Sequence, residues 1–105
     1  MVGKIESNPQ LNVFRTPLVN IINMKHELVE LTHRIDWKSV EKDFGIYYSE
    51  TGRPAVPLRK MLGGMLLKQM YSLSDEAFVA RWVENPYWQY FCGETYFQYE
   101  KPFDP

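Results

Sequence analysis

The chain has 105 residues, of which 45% are hydrophobic and 24% charged, and its formal net charge is −1. These values are typical of one globular domain with a buried core and argue against global disorder. The single cysteine, Cys92, excludes an internal disulfide and a cysteine-rich zinc module. The longest apolar run, residues 61–67, is too short to cross a membrane. The first residues lack the apolar core of a signal peptide, so we expect no membrane association and a cytoplasmic location.

The first third of the chain predicts a loose lead-in and then helices. Residues 1–15 are polar and show little periodicity. The pair Thr16-Pro17 indicates a helix start, because proline is favoured in the first turn. Asn23 predicts a cap for a second, amphipathic helix. The apolar residues of that helix recur at spacings of three and four: Leu28, Leu31 and Ile35.

The next segment predicts a short helix followed by a loop. Asp36 is the expected cap, and the apolar residues Trp37, Val40 and Phe44 follow at helical spacing. Gly45 predicts the end of this helix, because glycine readily adopts the left-handed conformation found after a last turn. Residues 46–56 are therefore expected to form a loop.

The strongest helical pattern begins after Pro57 and runs from Leu58 to Met70. Its apolar stripe is so wide that it predicts a central helix contacted on several sides. Gly63 and Gly64 interrupt it, and two mid-helix glycines cost roughly 1 kcal/mol each relative to alanine. We expect the close approach of another helix to compensate for them.

Two further helices are expected before the tail. Ser74 predicts a cap with acidic residues in the first turn behind it, and Asn85-Pro86 repeats the signal of a cap followed by proline. Gly93 predicts the end of the last helix. The sequence therefore predicts an all-α fold, a small bundle of about five helices with a helix-turn-helix-like hairpin at 57–84. Its predicted divisions are 1–15 (lead-in), 16–93 (helical domain) and 94–105 (extended aromatic and acidic tail).

The charge is distributed unevenly. Residues 53–81 carry five basic and two acidic side chains, whereas residues 82–105 carry one basic and four acidic ones. The middle of the chain could therefore face phosphate, and the tail could not. The candidate DNA contacts are Arg53, Arg59, Lys60, Lys68 and Arg81. An equal alternative is that these residues are surface charges that only maintain solubility. Asp75 and Glu76 lie at the start of the next helix and disfavour its insertion into a DNA groove, because phosphates would repel them.

Aromatic residues are concentrated near the carboxyl end. Nine of the sixteen aromatic residues lie between Trp82 and Phe103, more than so small a domain is expected to bury. An exposed aromatic patch usually marks a surface for a protein partner. The candidate interface residues are Trp88, Tyr90, Tyr96, Phe97 and Tyr99. Base stacking is a second interpretation, which the local negative charge disfavours.

No catalytic pattern is evident in the sequence. It contains no glycine-rich phosphate loop, nucleophile elbow or serine-histidine-acid spacing. His26, Glu30 and His33 share one helix face, but the facing ligands of a di-metal bundle are missing, which favours a solvated surface. Cys92 lies among aromatic residues and is interpreted as a small buried hydrophobe. We therefore expect neither a metal nor a cofactor in this chain.

The order of these segments resembles the amino-terminal domain of bacterial DDE transposases of the insertion-sequence-five group. The resemblance covers residues 10–105 and is carried by short motifs in the family's order. These are Asn23–Leu28, Ile35–Trp37, Thr51–Pro54, the apolar helix 58–70, Leu73–Glu76, Trp82–Gly93 and Phe103–Pro105.

The resemblance implies a recognition and assembly role. Family members cut and join DNA with three metal-binding acidic residues in a domain downstream of this segment. No acidic residue of this chain matches that set, so the resemblance implies a non-catalytic part, with divalent metal expected only in the catalytic domain. Its implied partners are the terminal repeats of the transposon, a possible second subunit and the remainder of the transposase. The alternative is a domain for dimerisation or docking with little DNA binding of its own.

Overall fold

The computed structural model describes residues 15–50 and 57–105, except for the side chains of residues 46–50. These residues form a 3₁₀ turn at Leu18–Asn20 and five α-helices, which confirms the predicted all-α class. The helices are α1 (Glu27–Arg34), α2 (Trp37–Glu50), α3 (Leu58–Tyr71), α4 (Asp75–Trp82) and α5 (Pro86–Phe91). In the described ranges, none of these helices is long and apolar enough to span a bilayer.

The start of α1 differs from the prediction. His26, not Asn23, caps the helix: its Nδ1 accepts a hydrogen bond from the Leu28 backbone N–H at 3.0 Å. Asn23 instead closes a turn, because its Oδ1 accepts from the N–H of Lys25 at 2.9 Å. Asparagine is favoured both as a helix cap and in turns. The sequence alone therefore did not show that Asn23 closes a turn three residues before the actual cap, His26.

The predicted end of α2 at Gly45 is wrong. Asp36 does begin the helix, since its carboxylate accepts from the backbone N–H and the hydroxyl of Ser39. The helix then continues through Gly45 to Glu50, so the predicted loop does not include residues 46–50. A Cβ at Gly45 would lie 3.7 Å from Leu58, so this glycine sits where α2 passes α3.

Helix α3 buries only one of its faces in the described structure. That inner face consists of Leu62, Gly63, Gly64 and Leu67. The glycines allow the predicted close approach: a Cβ at Gly63 would lie 2.9 Å from Cys92 Sγ, and one at Gly64 would lie 3.3 Å from the Phe78 ring. The predicted contacts on several sides are confirmed, because α3 meets α2, α4 and the end of α5, although Met65, Leu66 and Met70 remain exposed.

The caps of the last two helices are confirmed. The Ser74 hydroxyl accepts from the Ala77 N–H, and Asn85 Oδ1 accepts from the N–H groups of Tyr87 and Trp88. Between α3 and α4, Ser72 adopts a left-handed conformation at φ 54°. Gly93 follows α5 at φ 90°, a conformation that glycine adopts without strain.

The core is formed where α1, α3, α4 and α5 meet. It contains Leu28, Leu67, Phe78, Val79, Trp82, Trp88, Phe91 and Cys92. The tail then folds back over the bundle without forming a helix. Leu18 N–H donates to the carbonyl of Thr95, and Phe97 N–H donates to that of Thr16, so the two segments pair around Pro17 and Tyr96.

A buried side chain holds the tail in place. Gln89 is fully buried, and its amide nitrogen donates to the carbonyls of Trp82 and Gln98 at 3.0 Å each. Its Oε1 accepts from the Gln98 N–H at 2.7 Å. One glutamine side chain therefore provides hydrogen-bond partners for backbone groups of both α4 and the tail. Its two hydrogen bonds to Gln98 resemble those between neighbouring β-strands.

Candidate functional site

The predicted DNA contact Arg59 is held inside the domain. Its guanidinium lies 3.8 Å from the centroid of the Trp37 ring and donates to the carbonyl of Phe91 at 3.0 Å. Burial lowers the pKa of Arg59, an effect that the nearby Glu41 opposes. The side chain stays charged and joins the first turn of α3 to α2 and to the end of α5.

Two lysines of the predicted set form ion pairs. Lys60 Nζ lies 2.6 Å from a carboxylate oxygen of Glu94, and Lys68 Nζ lies 2.6 Å from Asp75 Oδ1. Each ammonium also lies within 6 Å of an aromatic centroid, that of Trp82 for Lys60 and that of Phe103 for Lys68. Their charge is therefore largely balanced within the domain.

The other two predicted DNA contacts differ in position. Arg81 is exposed in the last turn of α4 and has no ion-pair or hydrogen-bond partner among the described residues. It borders a shallow surface depression formed with Glu84, Asn85 and Pro86. Arg53 lies outside the described residues. The structure therefore does not gather the described members of the set into one continuous basic surface.

Six described cations outside the predicted set are exposed, and three of them lie on α1 and α2. Arg34 is in the last turn of α1, and Lys38 and Lys42 lie four residues apart on α2, a spacing that puts them on one helix face. The signal was present as that spacing, but the surrounding acidic residues obscured it. Hydrogen bonds from Ser39 are the main cause of the lowered pKa of Asp36, and the charge of Lys38 adds to it.

The predicted aromatic interface divides between the core and the surface. Trp88 is only 5% exposed and stacks on Phe78 with a centroid separation of 5.6 Å, so it belongs to the core and not to a surface. Tyr90 is half-buried, and its hydroxyl oxygen lies 2.7 Å from His33 Nε2. These two residues hold α5 against its neighbours.

The tail contributes the more exposed members. Tyr96 pairs with Pro17, and the guanidinium of Arg15 lies 5.8 Å from its ring centroid. Phe97 and Tyr99 meet edge to face at 5.0 Å. Tyr99 is 71% exposed and is the most accessible member of the predicted interface.

The two histidines, at the cap and in the last turn of α1, contact neighbouring aromatic rings rather than each other. His26 stacks on Tyr87 with ring centroids 4.0 Å apart, while His33 meets the edge of Tyr90. Among the side chains that the structure describes, in residues 15–45 and 57–105, no group of three histidine, cysteine or acidic residues is arranged to hold a metal ion. Cys92 is 2% exposed, and burial raises the pKa of its thiol to about 12.

An exposed apolar surface lies on α3. Met65, Leu66 and Met70 are 49%, 38% and 48% exposed. Tyr71 is 46% exposed, but its ring packs on Trp88 with a centroid separation of 5.3 Å. We call the surface formed by Met65, Leu66, Gln69 and Met70 the outer face of α3. The wide apolar stripe of the sequence includes these residues, and it predicts contacts on several sides of the helix without distinguishing which residues stay exposed.

The chain is thus a small helical domain. One helix exposes apolar side chains to solvent, and several arginine and lysine side chains are held by contacts within the domain. Residues 17–105 match a family model described as "Transposase domain (DUF772)", and the chain belongs to that family. It is also 47% identical over 98 residues to "Uncharacterized protein ORF8 in nfe locus" from Rhizobium meliloti. That match covers 93% of this chain and 47% of the relative, so the chain spans about half the relative's length. No solved structure matches it.

Proposed function

We propose that this domain acts in DNA transposition by binding the ends of the mobile element, and that it contributes no catalytic residue. The observation that carries the proposal is the match of residues 17–105 to a transposase domain. Cutting and joining, with the divalent metal they need, would belong to another part of a longer transposase.

The exposed cations are the side chains best suited to contact phosphate. Among the described residues of the predicted set, Arg81 is exposed without a partner, whereas Arg59, Lys60 and Lys68 are held by internal contacts. Arg53 joins Arg81 in the proposed contact set. Because phosphate contacts release counterions, binding that depends on these arginines weakens as salt rises.

Fluorescence anisotropy of the chain with a duplex bearing transposon ends, across a salt series, tests the proposal. Replacing Arg53 and Arg81 with alanine should weaken binding and reduce the salt slope by about one for each lost phosphate contact. The matched control replaces Lys25 and Lys101, which also removes two exposed positive charges. If both double variants bind equally well, the two arginines are not the contact residues. If the unaltered chain binds no duplex at low salt, the DNA-binding role is refuted.

A second candidate function is protein assembly within the transposition complex. The specific observation that favours it is the outer face of α3, where apolar side chains 38–49% exposed lie on consecutive turns. Such a surface is costly to leave in water and is typical of a partner site. The DNA experiment above does not depend on this second role.

A further inference from the structure

The start of the tail passes close to the first turn of α3. Gly93 turns the chain at φ 90°, and a Cβ at this position would lie 2.7 Å from Arg59 Cγ. Directly after this turn, the Glu94 N–H donates to the carbonyl of Gln89 at 3.0 Å. The backbone of Glu94 is therefore fixed beside the helix that carries three of the predicted DNA contacts.

The carboxylate of Glu94 pairs with Lys60 in a partly buried position. Lys60 Nζ lies 2.6 Å from Glu94 Oε2, and the two side chains are 22% and 15% exposed. The same ammonium lies 5.6 Å from the ring centroid of Trp82, which is fully buried. Little water surrounds the pair, so salt screens its attraction less than that of an ion pair in open solvent. Glu94 therefore restrains Lys60 more strongly than a distant charge of the tail would.

A carboxylate in this position can take the place of a DNA phosphate. Both groups offer anionic oxygen acceptors, and a lysine ammonium binds either of them as a point charge. Because Glu94 already balances the charge of Lys60, a phosphate gains that charge only by displacing the carboxylate. Arg81, in contrast, is exposed and has no ion-pair partner among the described residues.

We propose that Glu94 is an autoinhibitory contact, which withholds Lys60 from DNA until a phosphate of the element's end displaces the carboxylate. This inference rests on the DNA-binding function proposed above and adds a regulation to it. Arg81 is free to make an early contact with the duplex, whereas Lys60 joins only after the Glu94 side chain has moved. The unaltered chain therefore binds DNA more weakly than its basic residues would otherwise allow.

Duplex binding by Glu94→Gln, measured by fluorescence anisotropy across a salt series, tests the proposal. The substitution keeps the size of the side chain and removes its charge. It should tighten binding at least about threefold at low salt and steepen the salt slope by about one, as one further phosphate contact would. The matched control is Asp104→Asn, which also removes one negative charge of the tail, from a side chain that is 95% exposed. Equal gains in the two variants, or no gain in Glu94→Gln, would overturn the proposal.

A double variant shows whether the gain depends on the released lysine. Lys60→Gln combined with Glu94→Gln removes both charges of the pair and leaves the net charge of the chain unchanged. It should bind the duplex as weakly as the unaltered chain, because no lysine is released. If the double variant binds as tightly as Glu94→Gln alone, Lys60 is not the withheld residue and the proposal is refuted.

Amine labelling measures the release of Lys60 in the absence of DNA. Brief acylation of the lysines, followed by mass spectrometry, should modify Lys60 several-fold faster in Glu94→Gln than in the unaltered chain. The exposed Lys101 is the internal reference, since it pairs with Asp104 and not with Glu94. Unchanged labelling of Lys60 relative to Lys101 would show that Glu94 does not hold the lysine, and would also overturn the proposal.

The binding series separates this inference from the proposed function. If the unaltered chain binds the duplex and Glu94→Gln binds no better, only the autoinhibitory contact is refuted. If Glu94→Gln binds and the unaltered chain does not, the inference is supported and the end-binding role of the unaltered chain is refuted. If no variant binds the duplex, both are refuted.

Discussion

The two faces of α3 have similar hydrophobic content but different roles. The inner face packs Leu62 and Leu67 into the core and uses glycine where α5 and the Phe78 ring come close. The outer face carries the longer side chains of Met65, Leu66 and Met70 and leaves them 38–49% exposed. Leucine occurs on both faces, so the neighbouring helices, and not the residue type, distinguish the face that joins the core from the face that is open.

The sharpest comparison of the two faces uses adjacent leucines. Leu67 is fully buried and Leu66 is 38% exposed. Leu67→Ala should lower the free energy of unfolding by about 2–5 kcal/mol, because it leaves a cavity in the core. Leu66→Ala should change it by less than about 0.5 kcal/mol under conditions where the chain is monomeric. Urea unfolding measures both, and comparable losses would show that the outer face is covered.

The adjacent glycines provide the second comparison. Gly63→Ala places a methyl group 2.9 Å from Cys92 Sγ and 3.0 Å from its Cα. We expect a net loss of about 1–2 kcal/mol, since the backbone must move despite the gain in helix propensity. Gly64→Ala meets only the edge of a ring at 3.3 Å and should stay within about 0.5 kcal/mol of the unaltered chain. Thermal unfolding of both variants decides whether α5 approaches Gly63 this closely.

The thiol against the inner face gives a pH test. Folding raises the pKa of Cys92 from its ordinary value of 9.0 to about 12, because burial disfavours the thiolate. The stabilising contribution is complete below pH 9 and is lost as the pH rises towards 12, by about 1 kcal/mol per pH unit. The free energy of unfolding of Cys92→Ala should lack this part of the alkaline decline. If the free energy of unfolding falls equally with pH in both proteins, the buried thiol is not the cause of the decline.

A substitution of Arg59 tests the contacts of the first turn of α3. Arg59→Lys retains the charge but loses the planar stacking on Trp37 and the hydrogen bond to the Phe91 carbonyl. We expect a loss of about 1 kcal/mol in the free energy of unfolding. The salt slope of DNA binding should not change. An altered slope with unaltered stability would return Arg59 to the set of DNA contacts.

Local signals predicted much of this fold. Ser74 and Asn85 cap helices as expected, because their side chains reach backbone groups only two or three residues away. The sequence also predicted that a helix passes close to Gly63. Gly45 was misleading, since a glycine that ends a helix and one that admits a neighbouring helix look identical in sequence. The second role depends on Leu58, which follows thirteen residues later.

The candidate site was less predictable, because partners far along the chain determine whether a charge is free. Lys60 meets Glu94, and Arg59 meets the carbonyl of Phe91, at separations of more than thirty residues. Arg81 has the same chemistry but no such partner among the described residues. Trp88 likewise entered the core because Phe78 lies opposite it. Local sequence does not contain these pairings.

The pairing of Pro17 with Tyr96 determines the order in which this domain can be completed during synthesis. Leu18 is fully buried, yet the carbonyl that binds its N–H belongs to Thr95. Contacts between residues so distant in sequence form slowly, because a long loop must close first. Helices α3 and α4 can associate on the ribosome as soon as they emerge, but the first turn must wait for the last segment. The nascent chain therefore leaves the Leu18 N–H without this partner until translation has passed Thr95.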